Sequence, residues 1–222
     1  MGLSYRFVLV CPVHHLDRAM TVLADHLVSA DHDRLLAARP WEPALAHRPD
    51  GAAGPHGHGL RDVARREHES RDGFCFTYRF AIGSDELLRS YDAEMDAQVF
   101  QREPDEKARV GCLYTSFGRG QRWLIITASA ATSSISRLMA GSASIRATWI
   151  AMAEAMGARA LFFDEEQDDW WWLLYPDERE APRPDENAFE LVDRIFVRDV
   201  DALAEQALVE ADLSLDEATW SA

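Results

Sequence analysis

The chain has 222 residues, 47% of them hydrophobic, and a formal charge of −15. That is enough apolar material for one sizeable core, yet the longest apolar runs, FVLVC and WWWLLY, fall well short of the roughly 18–20 residues a membrane-spanning helix needs. The clustered Lys and Arg that neutralise phosphates are missing, which argues against nucleic acid as a partner, as the short apolar runs argue against a membrane.

The N-terminal segment has no basic leader and no small-residue cleavage site, and Arg6 stands where a myristoylation signal after Gly2 needs Ser or Thr. A cytoplasmic location is the expectation. Lys107 is the only lysine among 23 basic residues, a bias expected of a bacterial, GC-rich genome. Cys11, Cys75 and Cys112 are odd in number and lie in strand-like contexts, so they read as reduced, buried thiols.

In chain order, residues 5–11 (YRFVLVC) predict a central strand buried on both faces. Leu16, Met20, Leu23 and Leu27 predict a helix over about 14–29. Residues 73–82 alternate Phe74, Phe76, Tyr78 and Phe80 on one face, the period of a strand. Ser84 is a cap candidate for a helix whose stripe is Leu87, Tyr91 and Met95. Two apolar strands, VGCLYTSF and RWLIITASA, flank Gly118–Gln121 and predict an antiparallel hairpin. Thr132 or Ser133 begins a helix that Gly141 interrupts; Ser142 or Ser144 restarts it, Ile145, Trp149, Met152 and Met156 form its buried stripe, and Gly157 ends it.

A strand at 160–164 comes next, then WWWLLY, a Pro-punctuated acidic loop at 176–188, and a further strand at 190–199. Asp199 is the expected cap of a last helix that buries Val200, Leu203, Ala207 and Leu208. The order predicts a single α+β domain over 1–222, with a mixed, mainly antiparallel sheet covered by helices, ferredoxin-like or a duplicated ferredoxin-like arrangement. The hydroxyls of residues 127–136 are explained as helix caps rather than an anion site.

Residues 30–72 hold Pro40, Pro43, Pro49 and Pro55 with Gly51, Gly54, Gly57 and Gly59, and read as a long insertion with short helices at its ends. All eight histidines fall between positions 14 and 68. A metal-dependent enzyme is therefore one alternative, its site combining Cys11, His14 or His15 with His56 and His58. Against it, adjacent histidines point apart and no paired Cys or His-Glu-x-x-His motif is present. No nucleophile elbow, P-loop or dinucleotide fingerprint occurs either, and no cofactor is expected.

The charge is not evenly spread. Residues 164–222 contain 19 acidic residues and 4 arginines, which accounts for the entire −15. Within them Asp164, Glu165, Glu166, Asp168 and Asp169 precede WWWLLY without the alternate spacing of a calcium loop. In a strand, Trp170, Trp172 and Leu174 share one face, and Trp171, Leu173 and Tyr175 the other. At least one face must be core. If the second is exposed, Trp171 or Tyr175 is the expected anchor of an interface and Trp170 and Trp172 are core.

Lacking catalytic motifs, the chain reads as a non-catalytic binding protein of the immunity-protein or inhibitor type, its acidic aromatic surface facing a basic protein partner. A homo-oligomeric scaffold or ligand sensor is the remaining alternative.

Overall fold

The computed structural model describes residues 4–38, 74–91, 99–166, 170–183 and 200–216. β1 (Arg6–Pro12) is buried along its whole length, as an unbroken apolar run demands of a strand flanked on both edges and covered on both faces. It lies between β5 (Trp123–Ala130) and β6 (Ala160–Asp164) in a sheet that has eight strands among the described residues. The order is β2 (Phe74–Ala81), β4 (Lys107–Arg119), β5, β1, β6, β7 (Trp170–Tyr175) and β8 (Arg179–Pro182), with β3 (Phe100–Arg102) also on β4.

The molecule is an α+β protein, and among the described residues every strand pairing is antiparallel. Two antiparallel steps separate β5 from β6, so these two run parallel with β1 inserted between them, a split β-α-β unit. Three such steps separate β1 from β2, which therefore run antiparallel. In a ferredoxin-like arrangement the first two strands run parallel, so that arrangement is not confirmed, although β1 and β4, two steps apart around β5, do run parallel.

Periodicity decides which residues meet. Phe7, Leu9 and Cys11 of β1 join Phe74, Phe76 and Tyr78 of β2 in a first core under α1 (Leu16–Asp25), α4 (Ser133–Gly141) and α5 (Ala143–Met156). Trp149 of α5 is central to it, stacking on Phe7 at 4.9 Å and tilted toward Tyr78 at 5.4 Å. Val8, Val10, Trp123, Ile125, Phe162, Trp171 and Leu173 form a second core on the opposite face, covered by α6 (Val200–Glu210). The expected stripe of α6, namely Val200, Leu203, Ala207 and Leu208, is its buried face.

The helix ends follow from side-chain chemistry. Thr132 and Ser142 cap α4 and α5 by accepting the N–H groups of Ile135 and Ile145. Gly157 ends α5 in the left-handed region at φ 67°. α1 begins only at Leu16, because Val13–His15 form a 3-10 turn, and it stops at Asp25, leaving Leu27 to bridge Tyr78. The cap expected at Ser84 belongs instead to Asp85, which precedes α3 (Glu86–Ser90). Asp85 Oδ1 accepts the Leu88 N–H at 3.0 Å, and its Oδ2 accepts Ser142 Oγ at 2.7 Å and the Ser144 N–H at 2.8 Å. One carboxylate thus ties α3 to the start of α5.

Among the described residues β2 ends the sheet, and α2 (Ser29–Ala38) with the turn before it lies along its outer edge. Val28 N–H donates to Thr77 O, Arg79 N–H to His26 O, and Thr77 N–H to Asp31 Oδ2 at 2.7 Å. The strand is thereby denied to another chain. Met95, residues 39–72 of the insertion, the strand expected at 190–199 and the Asp199 cap expected for the last helix lie outside the described residues.

Candidate functional site: an acidic, aromatic sheet margin

The three tryptophans divide between the two faces of β7. Trp171 is 1% exposed and packs on Phe162 at 5.5 Å in the second core, with Leu173 beside it. It is not available as a surface anchor, and the orientation in which Trp170 and Trp172 are core is reversed. Both are only half-buried, with their rings edge-on at 5.1 Å. Tyr175 does not share a face with Trp171. A register shift between the pairs Leu161↔Tyr175 and Phe162↔Leu173 breaks strict alternation, and Tyr175 packs with Leu174 and Trp172 on the first core.

Cross-strand pairing supplies the neighbours. Trp172 lies opposite Glu180, and Trp170 opposite Pro182, so the half-exposed indoles sit beside an exposed carboxylate. Asp177 and Glu178 are exposed in the turn that follows β7, with Glu178 3.3 Å from Arg146. Glu166 is exposed and Glu165 half-buried at the other end of β7. Asp168 and Asp169 lie outside the described residues.

Asp164, expected in this acidic surface, is fully buried. Its Oδ2 accepts Arg6 Nε at 2.8 Å and an Arg183 N–H at 3.4 Å, while its Oδ1 accepts the Glu166 N–H at 2.8 Å. A carboxylate out of water is tolerable only with such partners. It is a structural group that joins β1, β6 and the residue that follows β8.

The residues proposed for a metal also separate. Cys11 is fully buried in the first core, where burial pushes its thiol up to about 12. His14 is exposed, and His15 Nδ1 is 3.1 Å from Gly157 O at the end of α5. Arg18 Nε donates to Ala155 O beside it. His15 and Arg18 therefore serve the unpaired carbonyls of a helix C-terminus. Among the described residues no three His, Cys, Asp or Glu side chains converge as a metal site, and His56 and His58 lie outside them.

A polar band on the second face was not anticipated. Cys75↔Tyr114, Tyr114↔Ser129, Ser129↔Arg6 and Arg6↔Asp164 are direct partners across five strands, on the face that carries α6 farther along. Ser116 and Thr127, buried and hydrogen-bonded to each other, mark the border between this band and the apolar half. Each strand contributes one polar residue in the outward phase of its alternation, a signal that means little until register aligns them.

Comparison of the chain with protein-family models, curated proteins and solved structures found no match in any of the three.

Proposed function

We propose that the chain is a non-catalytic binding protein of the immunity-protein or inhibitor type, whose acidic sheet margin engages a basic protein. The observation that carries this reading is the half-exposed Trp170–Trp172 pair, with Trp172 opposite Glu180, within the segment that holds the whole net charge. An aromatic anchor ringed by charge is the arrangement that concentrates binding energy at protein interfaces. Asp177, Glu178 and Glu180 attract a cationic surface, while a second copy of the same margin, or a phosphate backbone, is repelled.

Electrostatic steering gives the reading a kinetic signature. Association with the basic partner is fast at low salt and slows as ionic strength rises and the Debye length falls to about 8 Å. Stopped-flow mixing at several salt concentrations measures it; a rate indifferent to salt counts against an acidic recognition surface.

A further inference from the structure

We propose that Cys75 and Cys112 form a reversible intramolecular disulfide when a peroxide is the oxidant, covalently joining edge strand β2 to β4. Cys75 alternates away from Phe74 and Phe76, which belong to the first core, and so projects from the second face. Its partner across the strands is Tyr114, two residues beyond Cys112. Between Phe76↔Leu113 and Tyr78↔Val110 the register slips, and Cys112 sits in that bulge at φ 57°. Cys112 is thereby the diagonal neighbour of Cys75 across the β2–β4 pair, within reach of its side chain.

Both are half-buried, open enough for a small oxidant, whereas Cys11 is sealed in the core. Burial first, then the neighbouring Cys112 and Asp31, push the Cys75 thiol up to about 12, so Cys75 is the second of the pair to react. Cys112 sulfur, as thiolate, attacks one peroxide oxygen; an S–O bond forms, the O–O bond breaks, and hydroxide leaves and is protonated to water. Cys75 sulfur then attacks the Cys112 sulfenic acid, giving up its proton as the S–S bond forms and a second water departs. Two thiols are oxidised and one peroxide is reduced to two waters.

The test treats the full chain with hydrogen peroxide, quenches with catalase, and counts thiols after denaturation beside intact and peptide mass spectra. The expected result is a fall from three free thiols to one, loss of two hydrogen masses, a Cys75–Cys112 linked peptide, and full reversal by dithiothreitol. In Cys75→Ser the oxidation stops at a dimedone-reactive sulfenic acid on Cys112. Three thiols surviving, oxygen added to separate cysteines without a bridge, or a bridge that includes Cys11 or a second chain would each overturn the proposal. The wild-type readout requires no variant to fold.

Discussion

Asp201 and Gly120 are fitted to each other: a β-carbon on residue 120 would overlap the Asp201 carboxylate. That carboxylate accepts the backbone N–H groups of Gln121 at 2.7 Å, Arg122 at 3.0 Å and Trp123 at 2.9 Å, clasping the β4–β5 hairpin at the first turn of α6. Charge-assisted bonds of this kind are the stronger ones. Asp201→Ala is expected to cost about 2–4 kcal/mol in urea unfolding. Gly120→Ala should cost about 1–3 kcal/mol through the clash, and the double variant should cost less than the sum, because removing Asp201 relieves it. Simple additivity would show that the two are not in contact.

Asp85 makes stability pH-dependent. Burial alone raises its carboxyl, but hydrogen bonds from Ser144, Leu88 and Ser142 outweigh that and hold it below its ordinary 3.8. A depressed folded-state value means the contribution is complete above the unfolded-state value and is lost as pH falls through the folded one. Asp85→Ala should thus lower unfolding free energy by about 2 kcal/mol at pH 7, and the difference from wild type should shrink below pH 3.8. An unchanged difference at low pH would contradict the assignment.

Asp164 predicts an asymmetry between substitutions. Asp164→Ala leaves Arg6 buried without its carboxylate and should cost about 3–5 kcal/mol. Asp164→Asn retains an acceptor for the Arg6 N–H and should cost less. Equal losses in chemical denaturation would show that charge and hydrogen bonding contribute nothing separable here.

The tryptophans should rank by burial. Trp171→Ala empties part of the second core and should cost about 3–5 kcal/mol, while Trp172→Ala should cost under about 2 kcal/mol, because its ring is half-exposed and only flanks the first core. Denaturant midpoints of the two variants check the order, which is the reverse of that expected if Trp171 faced solvent.

Much of the fold was legible because it rests on local periodicity and caps. The continuous apolar run of residues 7–11 gave a central strand, Thr132, Ser142 and Gly157 bound their helices, and the stripe of α5 is the one that Ile145, Trp149, Met152 and Met156 define. Ser84 and Asp85 were harder, since adjacent polar residues both suit a cap; the contacts of Asp85 with Ser142 and Ser144, across the fold, decide between them. β3 and β8 are short and carry little alternation, and β8 fell within a stretch that its prolines marked as loop. The site was less legible than the fold. Alternation correctly put Trp171 opposite Trp172, but which side is covered depends on where α6 docks, and the shift that displaces Tyr175 arises from pairing with β6. Asp164 looked like one acid of five until Arg6, from the other end of the chain, paired with it.

The most direct test of the binding reading compares three immobilised baits at low salt: the wild-type chain, Trp172→Ala/Glu180→Arg, and Asp105→Arg, which makes the same charge reversal at an exposed turn on the far side of the sheet. The account predicts that wild type and Asp105→Arg retain the same basic protein from the host lysate. It predicts at least about tenfold weaker retention by the Trp172/Glu180 variant, the ratio that roughly 1.4 kcal/mol represents. Equal retention by all three baits, or recovery of no basic protein by any, would contradict it.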